Sequence, residues 1–172
     1  GALDLLLGSE KGNSAFAVAE GFPGLLLEAV FVLDSVAPPG LELGRFLPPT
    51  PVVVRLDHRL QVHPGRPTRL KDGPAWQLAG SSAPQTEHLR TMLEAARAHA
   101  EREVPGLRKK AAHLMARELD QEITRLERLR AVNDHIRPEE IEALVNRRTL
   151  LDRHIQAATL RLDSVLLMVG AQ

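Results

Sequence analysis

The side chains in this sequence that could bind a metal or move a proton are seven histidines and 22 carboxylates. The histidines are His58, His63, His88, His99, His113, His135 and His154. No two stand four apart, so no helix face offers zinc a histidine pair, and the His-Glu-x-x-His pattern is absent. His58 and His63 flank a strand end and could meet there, although scattered surface histidines are the commoner pattern. Cysteine is absent, which removes thiol nucleophiles, Cys-based zinc sites and disulfides. The stretch GSEKGN at Gly8–Asn13 is glycine-rich, but no glycine in the chain is followed by lysine. It therefore lacks the ending of a phosphate loop and reads as a helix stop followed by a turn into a strand. No Gly-x-Ser-x-Gly elbow occurs. Glu94–Arg97, Glu122–Arg125 and Glu127–Arg130 are spaced as solvated helix pairs, each worth about 0.2–0.5 kcal/mol. Arg108, Lys109 and Lys110 form a small basic cluster. It could touch nucleic acid or an acidic partner, though such triplets are mostly solvated surface. No catalytic constellation emerges.

The elements that would position these residues fall into two compositional halves. Ten of the 12 prolines and ten of the 12 glycines lie in residues 1–84. The expected organisation is therefore a β-rich, turn-rich part over 1–84 and a helical part over 85–172, together one domain of a larger protein. In the first part, Asp4–Leu7 reads as the end of a helix. Ser14–Ala19, Leu25–Val36 and Pro51–Asp57 read as strands, with Gly21–Gly24 as a hairpin turn between the first two. A fourth strand is expected near Arg59–His63. Residues 64–84 read as a loop with at most a short strand at Ala75–Ala79, and Trp76 is expected to plug that loop onto the core.

In the second part, Thr86–Arg102 reads as a helix with Leu89, Met92, Leu93, Ala96 and Ala100 along one face. Leu107–Val132 and Pro138–Val169 read as two further helices joined by only five residues, which forces antiparallel neighbours. From Leu151 the apolar steps are 4-3-4-3-4, a coiled-coil-like seam. Leu126, Ile155 and Leu162 are expected to be buried in it. The fold class is thus α+β: a mostly antiparallel sheet, then three helices, the last two a long antiparallel hairpin with arms of roughly 40 Å.

Hydrophobic residues make up 44% of the 172, enough for a core. Lys+Arg and Asp+Glu are 22 each, so the chain shows no basic excess of the kind that marks a dedicated nucleic-acid binder. No apolar run reaches the ~18 residues of a membrane span. The chain opens Gly-Ala-Leu-Asp without methionine and reads as a piece of something longer.

Four stretches, LGSEKGNSAFA (Leu7–Ala17), RFLPPTPV (Arg45–Val52), RLERLRAVNDHIRPEEIEAL (Arg125–Leu144) and ATLRLDSVLLMV (Ala158–Val169), carry a resemblance when taken together and in order. The chain resembles the C-terminal domain of the RapA (HepA) family, Swi/Snf-type ATPases that bind RNA polymerase and recycle it after transcription. Asp134 stands where that family commonly has proline, and Val62–Ser82 matches it poorly. The resemblance implies that ATP and magnesium belong to the motor domains of a longer parent, that this segment holds no cofactor, and that no catalytic residue carries over. It also implies RNA polymerase core and the parent's own ATPase domains as partners and a bacterial cytoplasmic setting, with nucleic acid bound weakly or through other domains.

The expected function is a non-catalytic accessory or docking domain, with a nucleic-acid-guiding module of the same motor as the alternative. Only five aromatic residues in the chain count against single-strand binding. Contact candidates are Arg45, Phe46 and Leu47, in a proline-stiffened segment, and Arg108, Lys109 and Lys110. For Phe46, packing into the core of the sheet is the competing and commoner use.

Overall fold

The computed structural model describes residues 13–20, 24–67, 69–72 and 86–170. Five strands lie within them: β1 (Asn13–Ala19), β2 (Leu25–Asp34), β3 (Thr50–Asp57), β4 (Leu70–Asp72) and β5 (Thr159–Gly170). Three helices accompany them: α1 (Thr86–Glu101), α2 (Val104–Val132) and α3 (Pro138–Gln156). The class is α+β, as the sequence indicates. The chain forms two compact units, each discontinuous along it. One takes the chain up to Val32, then Pro51–Glu103, then Leu160 onward; the other takes Leu33–Thr50 and Val104–Thr159.

The first unit is built on a five-stranded sheet in the order β3-β2-β5-β1-β4. β1 runs parallel to β5, with Asn13 opposite Ser164 and Ala19 opposite Gly170, and antiparallel to β4. The N–H of Gly170, ending β5, donates to the carbonyl of Gly24 at the start of β2, so those two strands run in opposite directions. The middle strands are the most buried: nearly all of β2 is covered, and β5 buries Leu160, Leu162, Val165, Leu167 and Met168 while Thr159 and Arg161 at its start stay exposed. β3 lies at an edge, where Pro51 with its missing N–H is tolerated. Helix α1 buries Leu89, Met92, Ala96 and Ala100, the expected face. Arg97 from this helix lies 5.1 Å from the ring centre of Phe31 in β2.

Three expectations are corrected here. The last helix stops at Gln156, and Thr159–Gly170 is a strand, so that arm is about 29 Å long and not 40. A narrow seam would leave Leu160, Leu167 and Met168 in solvent, whereas a central strand buries them along with Leu162 and Val165. Leu162 therefore belongs to the sheet and not to the hairpin. Secondly, β1 and β2 do not form a hairpin ladder, because β5 lies between them. Thirdly, the fourth strand is Leu70–Asp72, inside the stretch read as loop. Near Arg59–His63 the chain makes a turn, with Leu60 at φ 63° and a single bridge from Leu56 to Val62. Asp4–Leu7, Gly8, Trp76 and Ala75–Ala79 lie outside the described residues.

The second unit is the α2–α3 hairpin with the β2–β3 connection. Pro105 sits in the first turn of α2, where its missing N–H costs nothing. The link Asn133–Arg137 turns on Asn133, whose side-chain oxygen accepts the N–H of His135 at 2.9 Å. Pro138 then opens α3, with Glu139 and Glu140 at its positive end and Arg153 and His154 at the other. The two helices bury Ala111, Met115, Leu119, Leu151 and Ile155 near the base. Farther out, Ile123, Leu126, Ile141 and Leu144 are only half-buried.

Candidate docking surface on the helical hairpin

The six contact candidates have separate fates. Phe46 and Leu47 are 4% and 5% exposed, so their side chains are in the interior. The segment holding them winds through two 3-10 turns, Pro39–Leu41 and Leu43–Arg45, that meet α3 within the helical unit. Glu42 between the turns takes the left-handed conformation, φ 53°. Its carboxylate then lies 3.5 Å from both Arg45 and Arg147. Arg45 is the one residue of its trio at the surface. It reaches Glu118 of α2 at 2.8 Å and lies 5.5 Å from the ring centre of Phe46.

Arg45, Glu118, Leu119, Glu122, Leu144 and Arg147 are among the residues that line an open cleft of about 600 Å³. Every charged group in it is engaged. Arg147 donates to the carbonyl of Leu41 at 3.2 Å, and Arg125 holds Glu122 in a two-point pair. The hydrogen bond from Arg125, reinforced by its charge, lowers the Glu122 carboxyl below its ordinary range. Such a network fastens the β2–β3 connection to the hairpin and leaves no unengaged acid or base lining the cleft.

Of the basic triplet, Arg108 turns inward and donates to the carbonyl of Ala158, while Lys109 and Lys110 are exposed. The sequence therefore marks a cluster that the helix divides.

Beyond Leu119 on α2 and before Leu151 on α3 the hairpin has no buried residue. Leu129, Val132, Val145 and Leu150 are instead 37%, 84%, 44% and 40% exposed. Arg148 and Asp120 pair across the two helices at 2.8 Å. The hairpin's outer half is thus held by one ion pair and a half-covered seam, with apolar side chains left over.

In the sheet unit a buried polar cluster was missed by sequence reasoning. Glu28, in the middle of β2, is 2% exposed. It accepts hydrogen bonds from Arg55 at 2.8 Å and Arg66 at 2.9 Å. The hydrogen bond from Arg66 and the charges of both arginines lower its carboxyl against the upward push of burial. The available signal was Glu28 as the one carboxylate inside the apolar run LLLEAVFVL. Asp57 nearby accepts the backbone N–H groups of Arg59 and Gln61 and lies 2.8 Å from His63 Nε2. Burial pushes Asp57 up, but the His63 hydrogen bond and the two N–H groups outweigh it and leave it lowered. His58 rests instead against Gly24, where a Cβ would come within 2.9 Å of its Nδ1. The two histidines thus serve different contacts. Among the described residues no group of three or more His, Cys, Asp or Glu is placed to hold a metal.

Comparison with known proteins supplies the remaining finding. The family described as "RNA polymerase recycling family C-terminal" matches residues 1–170. The chain is 34% identical over 196 residues to the RNA polymerase-associated protein RapA of Sodalis glossinidius. It is 32% identical over 180 residues to that of Proteus mirabilis, and 34% over 178 residues to that of Yersinia pestis. Each alignment covers 97% of this chain, which spans 18% of the length of each relative.

Proposed function

This chain belongs to the RNA polymerase recycling family, in its C-terminal region, and from that premise we propose that it is a non-catalytic docking domain of an ATP-dependent recycling factor. The observation that carries the reading is the outer half of the α2–α3 hairpin, which buries no residue and exposes Leu129, Val132, Val145 and Leu150. Apolar side chains surplus to a domain's own core mark a surface that another protein covers. The partners this reading gives are RNA polymerase core and the motor domains of the same protein, in the bacterial cytoplasm. ATP and magnesium would be bound by that motor. Arg45, Lys109 and Lys110 are the sequence candidates left at the surface to flank such a contact, while Phe46 and Leu47 support it from inside.

A photo-crosslinking residue placed at Val132 or Val145 in the full-length protein tests this. Mixed with polymerase core, both positions are expected to crosslink to polymerase or to the protein's own motor. Arg59, exposed in the other unit, serves as the comparison. Hairpin yields no higher than those from Arg59 would overturn the assignment.

A further inference from the structure

Helix α2 sorts its charges by direction. Its acidic residues are Glu118, Asp120, Glu122 and Glu127. Three of these are matched within the unit: Glu118 by Arg45, Asp120 by Arg148 and Glu122 by Arg125. The outward face is different. Lys110, Arg117, Gln121, Thr124 and Arg128 follow one another at steps of seven, four, three and four, the spacing that keeps to one side of a helix. All five are exposed. Lys110, Arg117 and Arg128 have no ion-pair partner among the described residues, and no acidic residue stands in this line. The stripe is about 27 Å long at ~1.5 Å per residue. A chain with zero net charge thus carries an uncompensated basic line, because Glu118, Asp120 and Glu122 beside it are paired with other arginines.

We propose that this stripe contacts the phosphate backbone of duplex nucleic acid, independently of base sequence. Cations in line, with the hydrogen-bonding side chains of Gln121 and Thr124 between them, are the donors that phosphates accept. A protein partner would be expected to seat an apolar centre among these charges; the one apolar side chain in line is Leu114, between Lys110 and Arg117, and from Arg117 to Arg128 the residues in line are polar. α2 has no Phe, Tyr or Trp and only one imidazole, His113, so successive unpaired bases find no row of stacking platforms, which favours duplex over single strands. The basic contact therefore lies away from the triplet seen in the sequence. Arg108 is committed to Ala158, and of the triplet only Lys110 lies on the stripe.

The test is fluorescence anisotropy of a labelled duplex of random sequence titrated with the 172-residue chain. Three neutralised phosphates give a log–log salt slope of about −2.7, so raising salt from about 50 to about 200 mM should weaken binding roughly 40-fold. The triple variant Lys110→Gln, Arg117→Gln, Arg128→Gln should lose at least about tenfold in affinity at the lower salt and flatten the slope toward zero. All three residues are exposed, so the fold is expected to survive, and circular dichroism checks that. A variant with equal charge loss off the stripe, Arg102→Gln, Arg130→Gln, Arg153→Gln, all exposed, should keep most of the affinity and the slope. Absence of duplex binding at the lower salt would overturn the proposal without any variant. Equal loss in the off-stripe variant would reduce it to net charge and overturn it. A triple variant that still binds duplex but no longer crosslinks to polymerase would make the stripe a protein contact, and the proposal would fall.

Discussion

Glu28 shows how much a single buried carboxylate holds together. It joins β2 to Arg55 on β3 and to Arg66 in the loop that follows. Glu28→Gln would leave two guanidinium groups facing a neutral amide, and a loss of about 3 kcal/mol is expected, at the low end for a buried pair because Arg66 is half exposed. The pH dependence follows from the direction of the shift. The carboxyl is lowered from 4.5, so its stabilisation is complete above that value and is lost as pH falls through its lower folded value. The wild-type melting temperature should therefore drop as pH is taken below about 4.5, and Glu28→Gln should flatten that limb while lowering stability at neutral pH. A melting series from pH 7 to pH 3 checks both, and an unchanged acid limb in the variant would remove Glu28 as its cause. Legibility differs sharply at this scale. The absence of catalytic motifs is written in residue types and spacings. The pairing of Glu28 with Arg66 is not, because 38 residues separate them and only the fold brings them together.

Among the elements, β5 and the hairpin seam make separate and opposite predictions. Leu162 is 2% exposed on a central strand, so Leu162→Ala should cost about 2–5 kcal/mol in urea unfolding. Leu126, half-buried in the outer hairpin, should cost no more than about 1 kcal/mol when cut to alanine, since less area leaves water. Equal losses would mean that the outer seam is as tightly packed as the sheet, which would weaken the docking assignment. Asn133→Ala removes the side-chain acceptor that shapes the hairpin turn and should cost about 1 kcal/mol. The boundaries of α1 and the turn before α3 were readable because proline and helix-face periodicity act locally. The end of α3 was not. Leu151, Ile155, Ala158, Leu162, Val165 and Val169 satisfy a helical spacing as well as a helix followed by a strand, and local pattern cannot choose between them.

Across the whole molecule, β5 closes the sheet from the far end of the chain. It lies between β2 and β1, so a chain ended at Gln156 should lose the ladders on both sides of its central strand. Such a chain is expected to show no cooperative sheet unfolding by near-ultraviolet circular dichroism and urea titration. A cooperative transition of undiminished stability would show that the sheet does not depend on β5. The sequence by itself determined the α+β class, the antiparallel hairpin, the apolar face of α1 and the family, since composition, proline and glycine placement, helical period and ordered motifs are properties of neighbours along the chain. Only the tertiary structure decided that the last apolar run is a central strand, that Phe46 and Leu47 lie inside the helical unit, and that Glu118, Asp120 and Glu122 of α2 find arginine partners while Lys110, Arg117 and Arg128 find none among the described residues. These depend on which distant segments exclude water from one another and supply each other's hydrogen bonds.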